Sequence, residues 1–276
     1  MEPKSEEEFF ADITEALWDE RLDDIEEYAK TEGKEARIEA NEKAYGEMCN
    51  AYGELDRLIN TYGDLENPDI AALYPEAAAE YKAAKDKYHE AEDAQLNDAL
   101  DEVENNAIKE AQEREKERLQ ALQEEHCVRG AMMRCKYGSH YRRLNLPLTH
   151  GEIENGRPLV NSNDAVAGDD NNIPYFGVCT CPNYTTTEKE VLLKKDYPRD
   201  LRGKKLSDES EGNVKGLPCK PMILGEWKNS HAGTKLDGAA ILTGSAFLVC
   251  QYGGLIEIVD SGQNDPETLQ GIGEKN

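Results

Sequence analysis

An α+β chain is predicted, an acidic helical hairpin or small bundle followed by a small all-β domain. Three observations predict it. Charge is split: of 57 Asp/Glu and 32 Lys/Arg in 276 residues, 38 and 15 lie in residues 1–130, so this half carries −23 of the total −25. Glycine and cysteine are split the other way, with 17 of 22 glycines after residue 130 and six of seven cysteines at or beyond Cys127. Finally, apolar residues recur at helical spacing up to about residue 125, then change after Gly130 to short runs between turn signals.

The same composition limits function. No run approaches the roughly 18 apolar residues of a membrane span. The first residues, Met1 to Glu8, are acidic where a secretory signal needs a basic region, so no such leader is expected. Nucleic-acid binding is disfavoured, because a phosphate backbone calls for a basic surface and no strong Lys/Arg run exists.

Phe9, Phe10, Ile13, Leu17 and Trp18 form the first apolar helix face, continued by Leu22, Ile25 and Tyr28. Gly33 is a candidate break, after which Ile38, Ala44, Tyr45 and Met48 resume the pattern and Tyr52, Leu55, Leu58 and Ile59 extend it. Gly63 and Pro68 mark a turn. A second helical segment runs from about Ile70 to Glu124, its end so rich in Glu, Lys, Arg and Gln that a solvated final helix is expected. The stripe is thin in large aliphatics, so burial is modest and a partner chain or self-association could complete it. The region is either a plain spacer or a docking module, in which case its acidic field selects basic partners. His89 and His126 read as exposed surface histidines.

In the second half the runs are Ala131–Cys135, Arg157–Val160, Ile173–Cys179, Pro221–Leu224, Lys235–Ile241, Ala246–Cys250 and Leu255–Val259. Asn/Asp/Gly clusters, among them Asp237-Gly238 and Gly253-Gly254, separate them as hairpin signals. A mobile insertion is expected over about 185–216, where Lys, Asp, Ser and Gly dominate, and a flexible tail over 265–276. An internal echo joins residues 131–139 to 246–254. Each reads Ala, two large apolar residues, one variable residue, Cys-x-Tyr-Gly and a small residue, and a fold with adjacent first and last strands would make them pseudo-equivalent.

Five pieces in order carry a resemblance: Gly130-Ala131-Met132-Met133-x-Cys135-x-x-Gly138; Ile173-Pro174-x-Phe176-Gly177-x-Cys179; Pro218-Cys219-x-Pro221; Trp227; and Leu242-Thr243-x-Ser245 through Cys250-x-x-Gly253-Gly254-x-Ile256. Together they resemble the PAAR-like spike-tip family over about residues 127–263. The resemblance implies a small β cone at 126–264, with a helical extension at 1–125. It also implies a non-enzymatic role: capping the trimeric VgrG-like spike hub of a contractile injection system, either type VI-like secretion or an extracellular phage-tail-like particle. The helical module would dock an effector, chaperone or adaptor. The protein would assemble in the bacterial cytoplasm and leave with the machine. The alternative is a PAAR-like adaptor of a secreted polymorphic toxin with a helical export-targeting module.

Cys135, Cys179, Cys219 and Cys250 fall inside these pieces, and four thiolates suit one structural zinc. Cys181, His140 and His231 are alternates. Two other states are open: disulfides, joining Cys135 to Cys250 and Cys179 or Cys181 to Cys219, or buried reduced thiols. Cys49 is the candidate unpaired thiol, and Cys127 lies at the junction. Cys127 beside His126, or Cys135 with His140, would be needed for a cysteine nucleophile, and adjacent residues seldom present both groups to one substrate. Asp164, Asp169 and Asp170 fit ordinary turn chemistry better than a cation site.

Overall fold

A computed structural model of the chain describes residues 6–197, 199, 205 and 212–263. The expected tail lies outside these residues, as do 198, 200–204 and 206–211 of the expected insertion. The fold is α+β: among the described residues α1 (Glu6–Tyr62), α2 (Pro68–Leu73), α3 (Pro75–Ala94) and α4 (Asn97–Glu124) precede ten short strands. Two compact units are distinguished, one of residues 17–116 and one of 1–16 with 117–276. Among the described residues no helix is long and apolar enough to cross a membrane.

In the 17–116 unit the helix boundaries follow local chemistry. α1 stops where Gly63 takes φ +86° and its N–H caps the Ile59 carbonyl at 2.8 Å. Asn67 then caps α2 by accepting the Asp69 N–H at 2.9 Å, and Pro68 and Pro75 open α2 and α3, where a missing N–H costs nothing. Part of the core repeats at seven-residue intervals and is rich in alanine. Ala44, Ala51, Leu58 and Leu65 are buried on one stripe, Ala77, Ala84 and Ala91 on another, and Leu58, Leu65 and Ala77 meet in one cluster.

Gly33 does not break α1. The helix runs through it because α4 lies against it: a Cβ there would sit 2.4 Å from Ile108 Cγ1 and 3.0 Å from the Glu104 carbonyl oxygen. Polar clamps flank this approach. Arg37 pairs with Asp101 and, at 3.1 Å, with Glu104, while Arg114 pairs with Glu32 at 2.5 Å.

In the other unit the main sheet is antiparallel, with order β2-β1-β10-β9: β2 (Arg142–Arg143), β1 (Met132–Cys135), β10 (Leu255–Asp260) and β9 (Phe247–Val249). First and last strands pair, with Met133 opposite Ile258 and Cys135 opposite Ile256. Three hairpins surround the sheet: β3 (Ile153–Glu154) with β4 (Arg157–Pro158), β5 (Val191–Lys194) with β6 (Asn213–Gly216), and β7 (His231–Leu236) with β8 (Ala239–Ile241). Asn155-Gly156 and Asp237-Gly238 close two of them, with both residues of each pair at positive φ. Residues 191–194 and 213–216, read as part of a loop, are therefore the two arms of a hairpin. Ile173–Cys179, read as a strand run, makes only isolated bridges. Val128, Met133, Leu144, Ile173, Phe176, Leu242, Phe247, Leu248, Ile256 and Ile258 fill the interior.

The end of α4 packs into this unit. Leu119 and Leu122 are buried, a Cβ on Gly244 would lie 2.2 Å from the Leu122 carbonyl oxygen, and Glu125 accepts from Ser261 Oγ at 2.6 Å. His126 is half-buried rather than exposed. Its Nδ1 lies 2.8 Å from Glu154, and its backbone bridges to Thr243.

Candidate functional site

The strand ends, not the strand faces, assemble the site. Cys135 closes β1, and Cys250 follows β9. The two echoed segments flank β10, since β1 and β9 are its neighbours on either side. Both end in the same tight turn: the Gly138 N–H reaches the Cys135 carbonyl at 2.9 Å, and the Gly253 N–H the Cys250 carbonyl at 2.8 Å. The other thiols arrive on irregular chain stitched to these turns. Cys179 bridges Gly138 and donates its N–H to Leu217 at 2.9 Å. Cys219 exchanges backbone bonds with Phe176 (3.0 Å) and Gly177 (2.6 Å), and Ile223 bridges Cys250.

The result is a cavity of about 10 Å³, the size of one water-sized occupant. Cys135, Cys179, Cys181, Cys219 and Cys250 all line it, with Tyr137, Tyr184 and Tyr252 around them. Tyr184 and Tyr252 pack edge to face at 4.8 Å. All four predicted ligands and the alternate Cys181 are thus brought together. Their grouping was legible as motif membership. The tyrosines were legible only in part, through the Cys-x-Tyr-Gly echo, and nothing in the sequence marked Tyr184.

The thiols interact with one another. Cys135 is lowered from the usual thiol range, first by the hydrogen bond it accepts from Cys219, then against the cost of burial by the N–H groups of Tyr137 and Gly138. Cys219, as that donor, is pushed up, with burial adding to the effect. Burial raises Cys179. Cys181 donates instead to the Tyr252 carbonyl at 3.1 Å. All seven cysteines are free thiols, and the hydrogen-bond partner of Cys135 is Cys219 rather than Cys250. Among the described residues no group of three or more His, Cys, Asp or Glu stands in metal-holding geometry.

The histidine alternates lie elsewhere. His140 Nε2 donates to the Lys194 carbonyl at 3.0 Å, which leaves Nδ1 to accept the Ser139 hydroxyl at 2.7 Å. This ring lies over Gly177 (φ +75°), where a Cβ would come within 2.0 Å of Nδ1. His231 is exposed and stacks edge-on to His126 at 6.1 Å. Cys127 is fully buried, its thiol pushed far up by desolvation. Cys49 is exposed on α1. Asp164 accepts the Asn161 N–H at 2.9 Å and His150 Nε2 at 2.9 Å, and Asp169 accepts the Tyr175 N–H at 3.3 Å, as turn residues do. Trp227 is buried, its indole donating to the Asp164 carbonyl at 2.9 Å.

Residues 127–263 match the family model of a domain of unknown function (DUF4280). No curated protein and no solved structure matches the chain.

Proposed function

We propose that this protein is a non-enzymatic tip that caps the trimeric VgrG-like spike hub of a contractile injection system, with its helical region as the docking module for cargo or an adaptor. It would assemble in the bacterial cytoplasm and be delivered outward with the machine. The observation that carries this reading is the convergence of five cysteines, from four chain segments, on a cavity with room for one small occupant. A domain of short hairpins buries little apolar area for its size, so a tip under load gains most from one point where its loops are tied together.

Zinc fits that point by donor chemistry, because thiolates are its preferred structural ligands. Cys135, Cys179, Cys219 and Cys250 would hold it, Cys181 being engaged with Tyr252. The metal would supply a closed structural cross-link. The hydrogen bond from Cys219 and the turn N–H groups of Tyr137 and Gly138, which together lower the Cys135 thiol, support a thiolate ligand there.

The test is co-purification of the full chain with the trimeric spike hub of its own organism, with native mass spectrometry of the chain before and after chelation. Stoichiometric binding of one chain per trimer, and a mass excess of one zinc lost together with β-domain folding, are expected. A folded chain that ignores the hub would overturn the tip assignment. An apo mass with intact folding would remove the metal while leaving hub binding to be judged separately.

A further inference from the structure

α1 carries a second heptad seam that its own unit covers only in part, where the Tyr52 ring meets Tyr88 at 6.5 Å and Tyr62 packs on the Leu58–Leu65–Ala77 cluster. Counting Ile38, Tyr45, Tyr52 and Ile59 as position a, these four recur at intervals of seven, yet they are 58%, 57%, 62% and 44% exposed. Position d holds Asn41, Met48, Leu55 and Tyr62, the last three half-buried. From Tyr45 to Tyr62 the apolar spacing is therefore a regular 3-4 alternation, the pattern that seats a neighbouring helix. The g flank (Ala44, Ala51, Leu58) is consumed by the unit's own core. The open e flank is acidic, with Glu35, Glu42 and Asp56 around the exposed Cys49.

We infer that this face docks a partner's amphipathic helix whose flanking positions carry Lys or Arg. Charge decides the occupant. An antiparallel second copy would set Glu42 against the Asp56 carboxylate of its partner, and a parallel one would need the g flank that the unit's own core already uses, whereas a basic helix turns the open e flank into attraction. Scattered exposed apolar residues need no explanation; four at one heptad position, joined by a half-buried d row, do. The inference deepens the docking role given above to the helical region and rests on that role, not on hub binding by the β domain.

The test uses the full chain and a labelled helical peptide with Leu at a and d and Lys at e and g. Its controls are a peptide of the same composition with the Leu positions scrambled and a Glu-flanked version. Anisotropy should show saturable binding of the Lys peptide alone. Tyr52→Glu should weaken it roughly tenfold or more, with the circular dichroism spectrum unchanged. The paired reversal Glu42→Lys with Asp56→Lys, at exposed positions, should switch preference to the Glu-flanked peptide. Equal binding of the scrambled peptide would overturn the inference. So would binding indifferent to Tyr52→Glu, or self-association through this face, read as a dimer that Tyr52→Glu dissolves and Cys49 cross-links. Hub binding on the same variants should not change, which separates failure of this face from failure of the tip assignment.

Discussion

His140 shows how one side chain holds two segments. It accepts the Ser139 hydroxyl at Nδ1, which only the neutral ring can do, and donates its Nε2–H to the Lys194 carbonyl at the end of β5. Burial, helped by nearby Arg142, lowers its pKa from 6.5. The unfolded chain then binds the proton more readily than the folded one. The contribution of His140 to stability is full above pH 6.5 and declines as pH falls from 6.5 toward the lower folded value. The melting-temperature advantage of the wild type over His140→Gln should therefore shrink between pH 7.5 and pH 5. A pH-independent difference would contradict this. The residue identities were legible here, since Ser139-His140 and Phe176-Gly177 stand in the sequence. Their meeting was not, because Gly177 matters only once the imidazole lies on it.

At the scale of elements, glycine in α1 has two meanings. Gly33 is wedged against Ile108 and the Glu104 carbonyl, while Gly46 and Gly53 have nothing within 4 Å of a built Cβ. Gly33→Ala should thus destabilise by roughly 1–3 kcal/mol through overpacking. Gly53→Ala should stabilise by about 1 kcal/mol through helix propensity. Urea unfolding followed at 222 nm reads both; changes of the same sign would refute the assigned packing. This contrast explains why α1 was legible as apolar periodicity but not as one uninterrupted helix. Propensity treats all glycines alike, and only the neighbour tells a break from a close approach. The hairpins divide in the same way. Asp237-Gly238 was legible as a hairpin signal, but Lys235–Ile241 reads as one run, which the turn divides into the end of β7 and all of β8; β4 lies inside the run that reads Arg157–Val160, whereas β3, two residues long, is too short to show alternation. β5 and β6 were hidden because their ladder faces solvent and Leu192 is exposed.

For the whole molecule, charge separates the halves that composition first distinguished. Residues 1–130 carry −23 and the remainder −2. Like charges packed in one region oppose its compact state, and salt screens them over about 10 Å at 0.1 M. Raising ionic strength from 20 mM to 0.5 M should raise the melting temperature of the helical region, followed at 222 nm. The near-UV transition of the β domain should move much less. Equal shifts, or none, would show that self-repulsion is not what limits the helices. The α+β division was legible because charge, glycine and period all change near one place. The cysteine grouping was legible as motif order. The finer site was not, because thiols 115 residues apart, Cys135 and Cys250, meet only through the ladders on either side of β10.

That arrangement also bears on synthesis. The inner strand β10 is made after both neighbours, and β1 must wait for more than a hundred residues to be translated before its partner exists. Local helices can form as they leave the ribosome, but the main sheet cannot close until residue 260 has emerged. Cys135 is therefore solvent-accessible on the nascent chain long before Cys219 and Cys250 are made. A reducing compartment, or a chaperone that shields the early strand, keeps this thiol available for its late partners.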